Sequence, residues 1–361
     1  MSNPHIWLRA ETKSFERRTP LVPGGAASLL AAGFKVTVER SDQRVHGDSD
    51  YQQAGCELVE PGAWRGAGKD AIILGLKELP EDTFPLVHDH IYFAHAYKDQ
   101  EGWKELLQRF VAGGGNLYDL EYLLDEAGRR VAAFGYWAGF AGAATGILAW
   151  ANRQRGAQPS LSALSAYGNK DLLIDEITAA LDQSPKRPRL LVIGARGRSG
   201  QGAVDAAKAL GLEVVEWDLE ETRAGGPFEE INRMDILVNC VFVNGPLPPF
   251  ITGEMIRQPD RRLAVMVDVS CDVNSSFNPL PVYTECTNFA APCRELVPGT
   301  NRLELIAIDH LPTLLPVESS EDYCNQLLPH LLTLGDRTQP VWHDALQLFR
   351  QKSADLNTST N

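Results

Sequence analysis

The sequence predicts an α/β fold made of two doubly wound, parallel-sheet domains. The chain has 361 residues, which is long for one ordinary domain of about 100–200 residues and suits two. Short aliphatic runs alternate with helical patterns, and this alternation is typical of parallel sheets with crossover helices. It begins near residue 6 and begins again near residue 190, so each half of the chain is expected to form its own sheet.

The first domain is expected over residues 1–134. Its predicted strands cover residues 6–9, 34–39, 57–59, 70–76 and 91–94, and its predicted helices cover 23–33 and 50–54. The first helix is expected to end at Gly33, because glycine is a common stop signal of a helix. An amphipathic pattern at 342–353 predicts a C-terminal helix, and the segment 335–361 is expected to pack back on this domain.

The second domain is expected over residues 135–334. A helix rich in small residues, 134–152, connects the domains, and another helix is predicted near 171–181 within a polar segment, 153–188, that carries no motif. The predicted strands cover 190–193, 213–217, 235–241, 263–269 and 303–308, with a helix at 203–210.

One apolar segment is long enough to cross a membrane. Residues 131–151 contain no charge over 21 positions, and a bilayer needs about 20. However, 12 of the 21 are Gly or Ala, which contribute little hydrophobic free energy. The segment is therefore interpreted as a buried helix whose small residues allow close approach of other backbone, and no membrane partner is expected.

Charge and cysteine usage exclude several classes of protein. The chain has 47 acidic and 34 basic residues, a net charge of −13 and no long basic run, which argues against a nucleic-acid partner. The six cysteines form no CxxC pair, so no metal site is expected. The N-terminus has no signal-peptide pattern, and we expect a cytoplasmic protein with reduced thiols.

A glycine-rich turn predicts a dinucleotide site in the second domain. Strand 190–193 leads into Gly194, Gly197 and Gly200 at GxxGxxG spacing, and a helical pattern follows. Backbone amides and the helix dipole at such a turn can hold a pyrophosphate. Asp218, 24 residues after Gly194, would bind the ribose hydroxyls of NAD and repel the 2′-phosphate of NADP. The alternative is a tight turn with a surface aspartate.

Two titratable residues follow neighbouring strands of the first domain. Lys77 ends strand 71–76 and His95 ends strand 91–94. A lysine beside a cationic cofactor has a lowered pKa and can accept a proton, and a histidine can shuttle protons to water or a leaving amine. Taken alone, both residues also fit a solvated lysine and a buried histidine. The charges available to tune such a site belong to Glu78, Glu121, Arg129 and Arg130.

Several motifs together carry a family resemblance. They are LRAETK at 8–13, ERR at 16–18, GLKE at 75–78, TFPLVH at 83–88, FAHAYKDQ at 93–100, GRRVAAFG at 128–135 and IDHLP at 308–312. With these motifs in order over nearly the whole chain, the sequence resembles the NAD-dependent, lysine-forming saccharopine dehydrogenases. The wider group includes alanine dehydrogenase and shares a plan of two Rossmann-like domains with the active site in the cleft between them.

The resemblance implies a reaction and its acid–base groups. Saccharopine, an adduct of lysine and 2-oxoglutarate, is oxidised by NAD at the glutarate Cα–N bond, and water then releases L-lysine and 2-oxoglutarate. This is a step of lysine biosynthesis through the aminoadipate pathway. The residue matching Lys77 accepts the proton of the secondary amine, and the one matching His95 acts as acid–base in hydrolysis of the imine.

The resemblance also implies the binding residues. The substrate is expected to contact Arg18, Lys77, Gln100, Phe134, Ser270, Cys271 and Asp272. The NAD cofactor is expected to contact Arg129, Gly197, Arg198, Asp218, Thr222, Phe242, Val269, Ile308, Asp309, His310 and Leu311. Because Phe242 has no hydroxyl, any family contact that needs a tyrosine there is reduced to ring packing.

Two alternatives stay open from the residues. One is another amino-acid or opine dehydrogenase of the same superfamily, which would prefer a different oxo acid or amine. The other is a non-catalytic sensor that binds NAD, and the presence of both Lys77 and His95 argues against it.

Overall fold

The computed structural model describes residues 4–97, 101–243 and 245–358, and the chain divides into two compact units. The first unit comprises the chain up to Ala133 and from Ser319 onward, and the second comprises Phe134–Glu318. We number strands and helices in chain order through both units.

The first unit contains a sheet whose described strands are all parallel, in the order β3-β2-β1-β4-β5-β6. The strands are β1 His5–Leu8, β2 Lys35–Glu39, β3 Glu57–Val59, β4 Ala71–Leu74, β5 Asp89–Tyr92 and β6 Leu117–Asp119. The helices are α1 Pro23–Ala31, α2 Asp48–Gln53 and α3 Trp103–Gly113, followed after the second unit by α8 Pro316–Leu331 and α9 Pro340–Thr358. The predicted parallel α/β arrangement is confirmed for this unit.

The C-terminal helix α9 packs on the sheet of the first unit. The Phe349 ring meets the Phe110 ring at 5.7 Å between centroids, and both are buried in one apolar cluster with β4 and β5. Trp342 contacts Tyr118 of β6 at 5.8 Å between ring centroids. Aromatic side chains of α9 therefore complete the core on this face.

The unit boundary falls inside α8, earlier than the sequence pattern placed it at residue 334. The amide of Thr19 donates to Ser320 Oγ at 3.0 Å. The amide of Val22 donates to Cys324 Sγ at 3.4 Å, and both partners on α8 are buried. Because these contacts join α8 to the start of the chain, the helix belongs with the first unit from Ser319 onward.

The second unit contains a sheet in the order β11-β12-β10-β9-β7-β8 within the described residues. Its strands are β7 Arg189–Ile193, β8 Glu213–Trp217, β9 Ile236–Asn239, β10 Val265–Asp268, β11 Arg294–Val297 and β12 Leu303–Ile306. Its helices are α4 Gly135–Gln154, α5 Lys170–Asp182, α6 Arg198–Ala209 and α7 Leu219–Thr222. The edge strand β11 is antiparallel to β12, and its half-exposed residues gave no strand signal in the sequence.

Helix α4 lies in the core of the second unit, as the small-residue pattern predicted. Every residue from Gly139 to Ala151 is buried. A Cβ on Gly139 would lie 1.7 Å from Ser199 O, and one on Gly202 would lie 1.9 Å from Tyr136 O. The missing side chains thus let α4 and α6 approach backbone to backbone. Across the described ranges, no helix is long and apolar enough to cross a membrane.

The packing of α4 against α6 leads to a stability prediction. Gly139→Ala should lower the free energy of unfolding by about 1–3 kcal/mol or more, because the added methyl overlaps a backbone oxygen. The matched control is Gly24→Ala in α1, whose Cβ would meet nothing within 4 Å and which should be neutral or stabilising by up to ~1 kcal/mol. Urea unfolding followed by circular dichroism measures both variants, and equal midpoints would contradict the close approach.

Candidate functional site

Lys77 and His95 follow two adjacent strands of the first sheet. β4 ends at Leu74 and β5 ends at Tyr92, so each residue lies three positions beyond its strand. The two strands pair in parallel, and their carboxyl ends therefore lie side by side. Both side chains are half-buried.

The backbone at Lys77 is held by a buried carboxylate. Glu11 Oε1 accepts the amide of Leu76 at 2.7 Å, and Glu11 Oε2 accepts the amide of Lys77 at 2.9 Å. Arg9 lies 3.4 Å from Glu11 Oε2 and donates to the carbonyl of Lys77. Burial raises the pKa of Glu11, against the opposing effects of Arg9 and the two amides. These contacts place the start of the Lys77 side chain.

A second buried pair lies close to Lys77. Arg18 donates to both oxygens of Glu16, through Nε at 2.8 Å and a terminal nitrogen at 2.6 Å. Both side chains are under 5% exposed. Burial raises the pKa of Glu16, but the positive charges of Arg18 and Lys77 outweigh this and hold it below its usual value. The carboxylate therefore stays ionised near the lysine and orients the predicted substrate ligand Arg18.

His95 lies between two carboxylates. Its Nδ1 is 2.9 Å from Glu121 Oε2, and its Nε2 is 3.5 Å from Glu78 Oε1. Since an ionised carboxylate only accepts, Nδ1 carries the proton toward Glu121. This hydrogen bond raises the pKa of His95 despite its burial, and the charges of Glu121, Glu78 and Asp119 add to the effect. The protonated imidazole is thus stabilised relative to that of a free histidine, and in the neutral form Nε2 can accept a proton.

The other predicted residues of the first unit have different surroundings. Arg129 lies in an exposed turn and pairs with Asp125 at 3.0 Å, whereas Arg130 lies 3.9 Å from Glu121. Gln100 lies outside the described residues. Phe134 directly precedes α4 in the second unit.

The glycine-rich turn between β7 and α6 forms a backbone cradle. Gly194 has a φ of +83°, and a Cβ there would meet Val241 Cγ2 at 2.8 Å. A Cβ on Gly200 would meet Gly194 O at 1.9 Å, and Gly197 is the N-cap of α6. The turn is therefore closed tightly over itself, and the first backbone amides of α6 follow it directly. This geometry fits the pyrophosphate of a dinucleotide.

Asp218 links this turn to the end of β8. Its Oδ2 accepts the amide of Arg196 at 2.8 Å, and its Oδ1 accepts the amide of Leu219 at 2.8 Å as the N-cap of α7. Thr222 Oγ1 donates to the Asp218 carbonyl at 2.8 Å. The acid predicted to bind ribose is thus fixed beside the glycine-rich turn.

Asp268 organises the ends of β9 and β10. It is fully buried and accepts from Ser270 Oγ at 2.7 Å, Asn239 Nδ2 at 3.0 Å and Tyr283 Oη at 2.6 Å. Cys271 follows with a φ of +53°, and burial raises the pKa of its thiol. Sequence analysis identified Ser270 and Cys271 but not Asp268, although an acid as the last residue of a buried strand is a detectable signal.

The remaining residues predicted to bind the cofactor differ in how far they are buried. Ile308 and Leu311 are buried in the core of the second unit, so the structure does not expose either of these predicted cofactor contacts. Phe242 is 67% exposed. Asp309 is exposed as well, whereas Val269, Asp272 and His310 are half-buried. Asp272 Oδ2 is buried without a partner in the described part of the chain.

Two further findings concern metal and thiol chemistry. Within the described residues, no group of three His, Cys, Asp or Glu side chains is placed to hold a metal ion. All six cysteines, each of which is described, are free thiols.

Comparison with known proteins first defines a class. Residues 7–141 match the family model for the alanine dehydrogenase/PNT N-terminal domain. A solved L-alanine dehydrogenase superposes with a TM-score of 0.65, at 16% identity, covering 97% of this chain and 99% of that chain. The chain therefore has the alanine dehydrogenase fold, with two Rossmann-like α/β units.

Closer relatives then define the family. The saccharopine dehydrogenase (NAD+, L-lysine-forming) of Yarrowia lipolytica is 49% identical over 95% of this chain and 96% of that protein. The protein of the same name from Schizosaccharomyces pombe is 48% identical over 97% of this chain and 98% of that protein. This chain belongs to the NAD-dependent, L-lysine-forming saccharopine dehydrogenases, as the sequence motifs indicated.

The contacts of His95 lead to a prediction about its pKa. Glu121→Gln should lower the pKa of His95, because the charged hydrogen-bond acceptor at 2.9 Å is replaced by a neutral one. The matched control is Glu78→Gln, which should lower it less, since the Glu78 oxygen lies 3.5 Å away. NMR titration of 13C-labelled imidazoles, assigned with His95→Gln, measures both. A larger shift in the Glu78 variant would show that the Glu121 contact is not the dominant one.

Proposed function

We propose that this chain catalyses the NAD-dependent oxidation of saccharopine to L-lysine and 2-oxoglutarate, with Lys77 as the general base and His95 as the acid–base of hydrolysis. Family membership supports the overall reaction. The structural observation that carries the residue assignment is the placement of Lys77 and His95 at adjacent strand ends, each with its own set of buried or half-buried carboxylates.

The first chemical step removes two hydrogens from the substrate. NAD, which the turn at Gly197 and the carboxylate of Asp218 would hold, would supply the hydride acceptor for oxidation at the glutarate Cα. Lys77 accepts the proton of the secondary amine, so that the Cα–N bond becomes a double bond and the electrons balance. Glu11 accepts the Lys77 amide and Arg9 donates to the Lys77 carbonyl, and together these hydrogen bonds would orient this base toward the amine.

The second step is hydrolysis, in which His95 handles the protons. The imidazole removes a proton from the attacking water and returns one to the nitrogen as the carbinolamine collapses to L-lysine and 2-oxoglutarate. Glu121 stabilises the imidazolium that forms between these two transfers. A raised pKa suits a group that must keep the proton through this interval.

Binding roles are proposed for charged residues in each unit. Arg18, held by Glu16, would bind a substrate carboxylate through a charge-assisted hydrogen bond. The turn at Gly197 would hold the NAD pyrophosphate, and Asp218 would bind the ribose hydroxyls. The two compact units are proposed to be a substrate-side domain and an NAD-binding domain.

The net charge and the cysteines support a proposal for the location and the partners of the enzyme. We propose a cytoplasmic location, supported by six free cysteines in the described chain. The net charge of −13 supports small molecules as the partners, without nucleic acid.

The first experiment measures loss of NADH absorbance with purified protein, 2-oxoglutarate and a panel of amines. Oxidation with L-lysine and little with ammonia or alanine is the expected result. A preference for pyruvate or for ammonia would identify an alanine or opine dehydrogenase instead. Tight NADH binding without turnover on any amine would identify a sensor.

Two substitutions test the division of roles. Lys77→Met should depress turnover by about 10²–10⁴-fold while NADH binding stays nearly unchanged, because only the proton acceptor is lost. His95→Gln should slow hydrolysis but leave hydride transfer intact, so a burst of NADH precedes slow turnover of saccharopine. Stopped-flow absorbance of NADH separates the rate of hydride transfer from the rate of hydrolysis. Loss of NADH affinity with intact turnover in the Lys77 variant would contradict its assignment as base.

Asp218 is expected to determine the choice of cofactor. Asp218→Ala should reduce the preference for NAD over NADP, measured as the ratio of kcat/KM values, by about tenfold, which corresponds to ~1.4 kcal/mol. The matched control is Glu220→Ala, an exposed acid on α7. An unchanged ratio in the Asp218 variant, or an equal change in the control, would remove Asp218 from this role.

A further inference from the structure

The backbone at His95 is held in a conformation that its residue type does not favour. His95 has a φ of +52°, in the left-handed region where a side chain crowds its own carbonyl. Such a conformation persists only when surrounding contacts impose it. The direction of the imidazole depends on it, because the Cα–Cβ vector turns with the backbone.

One side chain, Asp119, binds the backbone on both sides of His95. Asp119 ends β6 and is 1% exposed. Its Oδ1 accepts the amide of Ala94 at 3.3 Å, and its Oδ2 accepts the amide of Ala96 at 3.4 Å. One carboxylate thus binds the residue before His95 and the residue after it.

The same carboxylate also places the partner of the imidazole. Asp119 Oδ1 accepts the amide of Glu121 at 3.0 Å, and Glu121 Oε2 is the atom 2.9 Å from His95 Nδ1. Asp119 therefore joins both ends of the His95–Glu121 hydrogen bond through backbone amides. Its three acceptor contacts require two oxygens, which an asparagine amide does not provide.

We propose that Asp119 is a positioning residue for catalysis, which sets the left-handed turn at His95 and the distance from the imidazole to Glu121. The inference rests on the role of His95 proposed above. Asp119 does not touch the reacting atoms. It acts through the backbone on either side of His95 and through the backbone of Glu121, which binds the imidazole. A displacement of about 1 Å in such a group can cost roughly 10²-fold in rate.

Asp119 also acts on His95 through its charge. The charged groups around the imidazole come from two strand ends. Glu78 follows β4, Asp119 ends β6, and Glu121 with its neighbour Arg130 follows β6. Other titratable side chains near Asp119 are Tyr92, Tyr97, Tyr122 and Tyr323. The negative charge of Asp119 raises the pKa of His95, so replacing Asp119 with a neutral residue should lower the pKa of His95.

The experiment compares Asp119→Asn with Asp89→Asn in the full-length enzyme. Asp89 begins β5, where it accepts from Asn116 at 2.7 Å and from Arg337 at 3.1 Å, far from the carboxyl end of the strand. We expect Asp119→Asn to lower kcat for saccharopine by roughly 10- to 100-fold with NADH affinity unchanged. A pre-steady-state burst of NADH should appear, and the pKa of His95 should fall in the NMR titration. Asp89→Asn should leave kcat and this pKa near their original values.

Three results would overturn the inference. The first is a folded Asp119→Asn enzyme with the original kcat and the original pKa of His95. The second is an equal loss of kcat in both variants without a change of that pKa, which would indicate a purely structural role. If Asp119→Asn does not fold, Asp119→Glu keeps the charge but moves the oxygens by a methylene group. A folded Asp119→Glu enzyme with the original kcat is the third result, and a loss of kcat there supports the inference.

His95→Gln separates this inference from the proposed function. An original kcat in His95→Gln would remove His95 from the mechanism, whatever Asp119 does. An impaired His95→Gln beside an unimpaired Asp119→Asn would leave the proposed function in place and reject only the positioning role.

Discussion

The interaction on which both units depend is a carboxylate that binds backbone amides where a parallel strand ends. Beyond the last strand residue an amide loses its ladder partner, and leaving it buried and unpaired costs about 1–3 kcal/mol. Glu11, Asp119, Asp218 and Asp268 each accept such amides at the carboxyl ends of their sheets. The contacts that satisfy these backbone amides also determine the paths of the loops that contain Lys77, His95 and the glycine-rich turn.

Neighbours of opposite charge shift the pKa values of His95 and Glu16. Around His95, hydrogen bonding to Glu121 outweighs burial and raises the pKa of the imidazole. Around Glu16, the charges of Arg18 and Lys77 outweigh burial and lower the pKa of the carboxyl. In both cases the charged form is stabilised in a poorly solvated place, because a charged partner lies within hydrogen-bonding reach or close by. Charged partners therefore lie beside Lys77 and His95, the proposed base and the proposed acid.

The sequence predicted those features of the fold and the site that depend on residues close together in the chain. The glycine spacing predicted a turn that requires glycine at Gly194, which has a positive φ, and at Gly200, where a Cβ would overlap Gly194 O. The small residues of α4 likewise predicted a close backbone contact, which the structure shows with α6. The antiparallel strand β11 and the pairing of α8 with the first unit gave no comparable signal, because edge pairing and docking depend on residues distant in sequence.

The sequence by itself determined the α/β class, the dinucleotide turn, the family and the identity of Lys77 and His95, since each rests on spacing along the chain or on residue type. Only the tertiary structure decided the surroundings of these two residues. Glu11 is 66 positions from Lys77, and Asp119 is 23 positions from Ala96. Contacts at such separations have no periodicity that a sequence pattern can show, because the order of strands in the sheet brings them together.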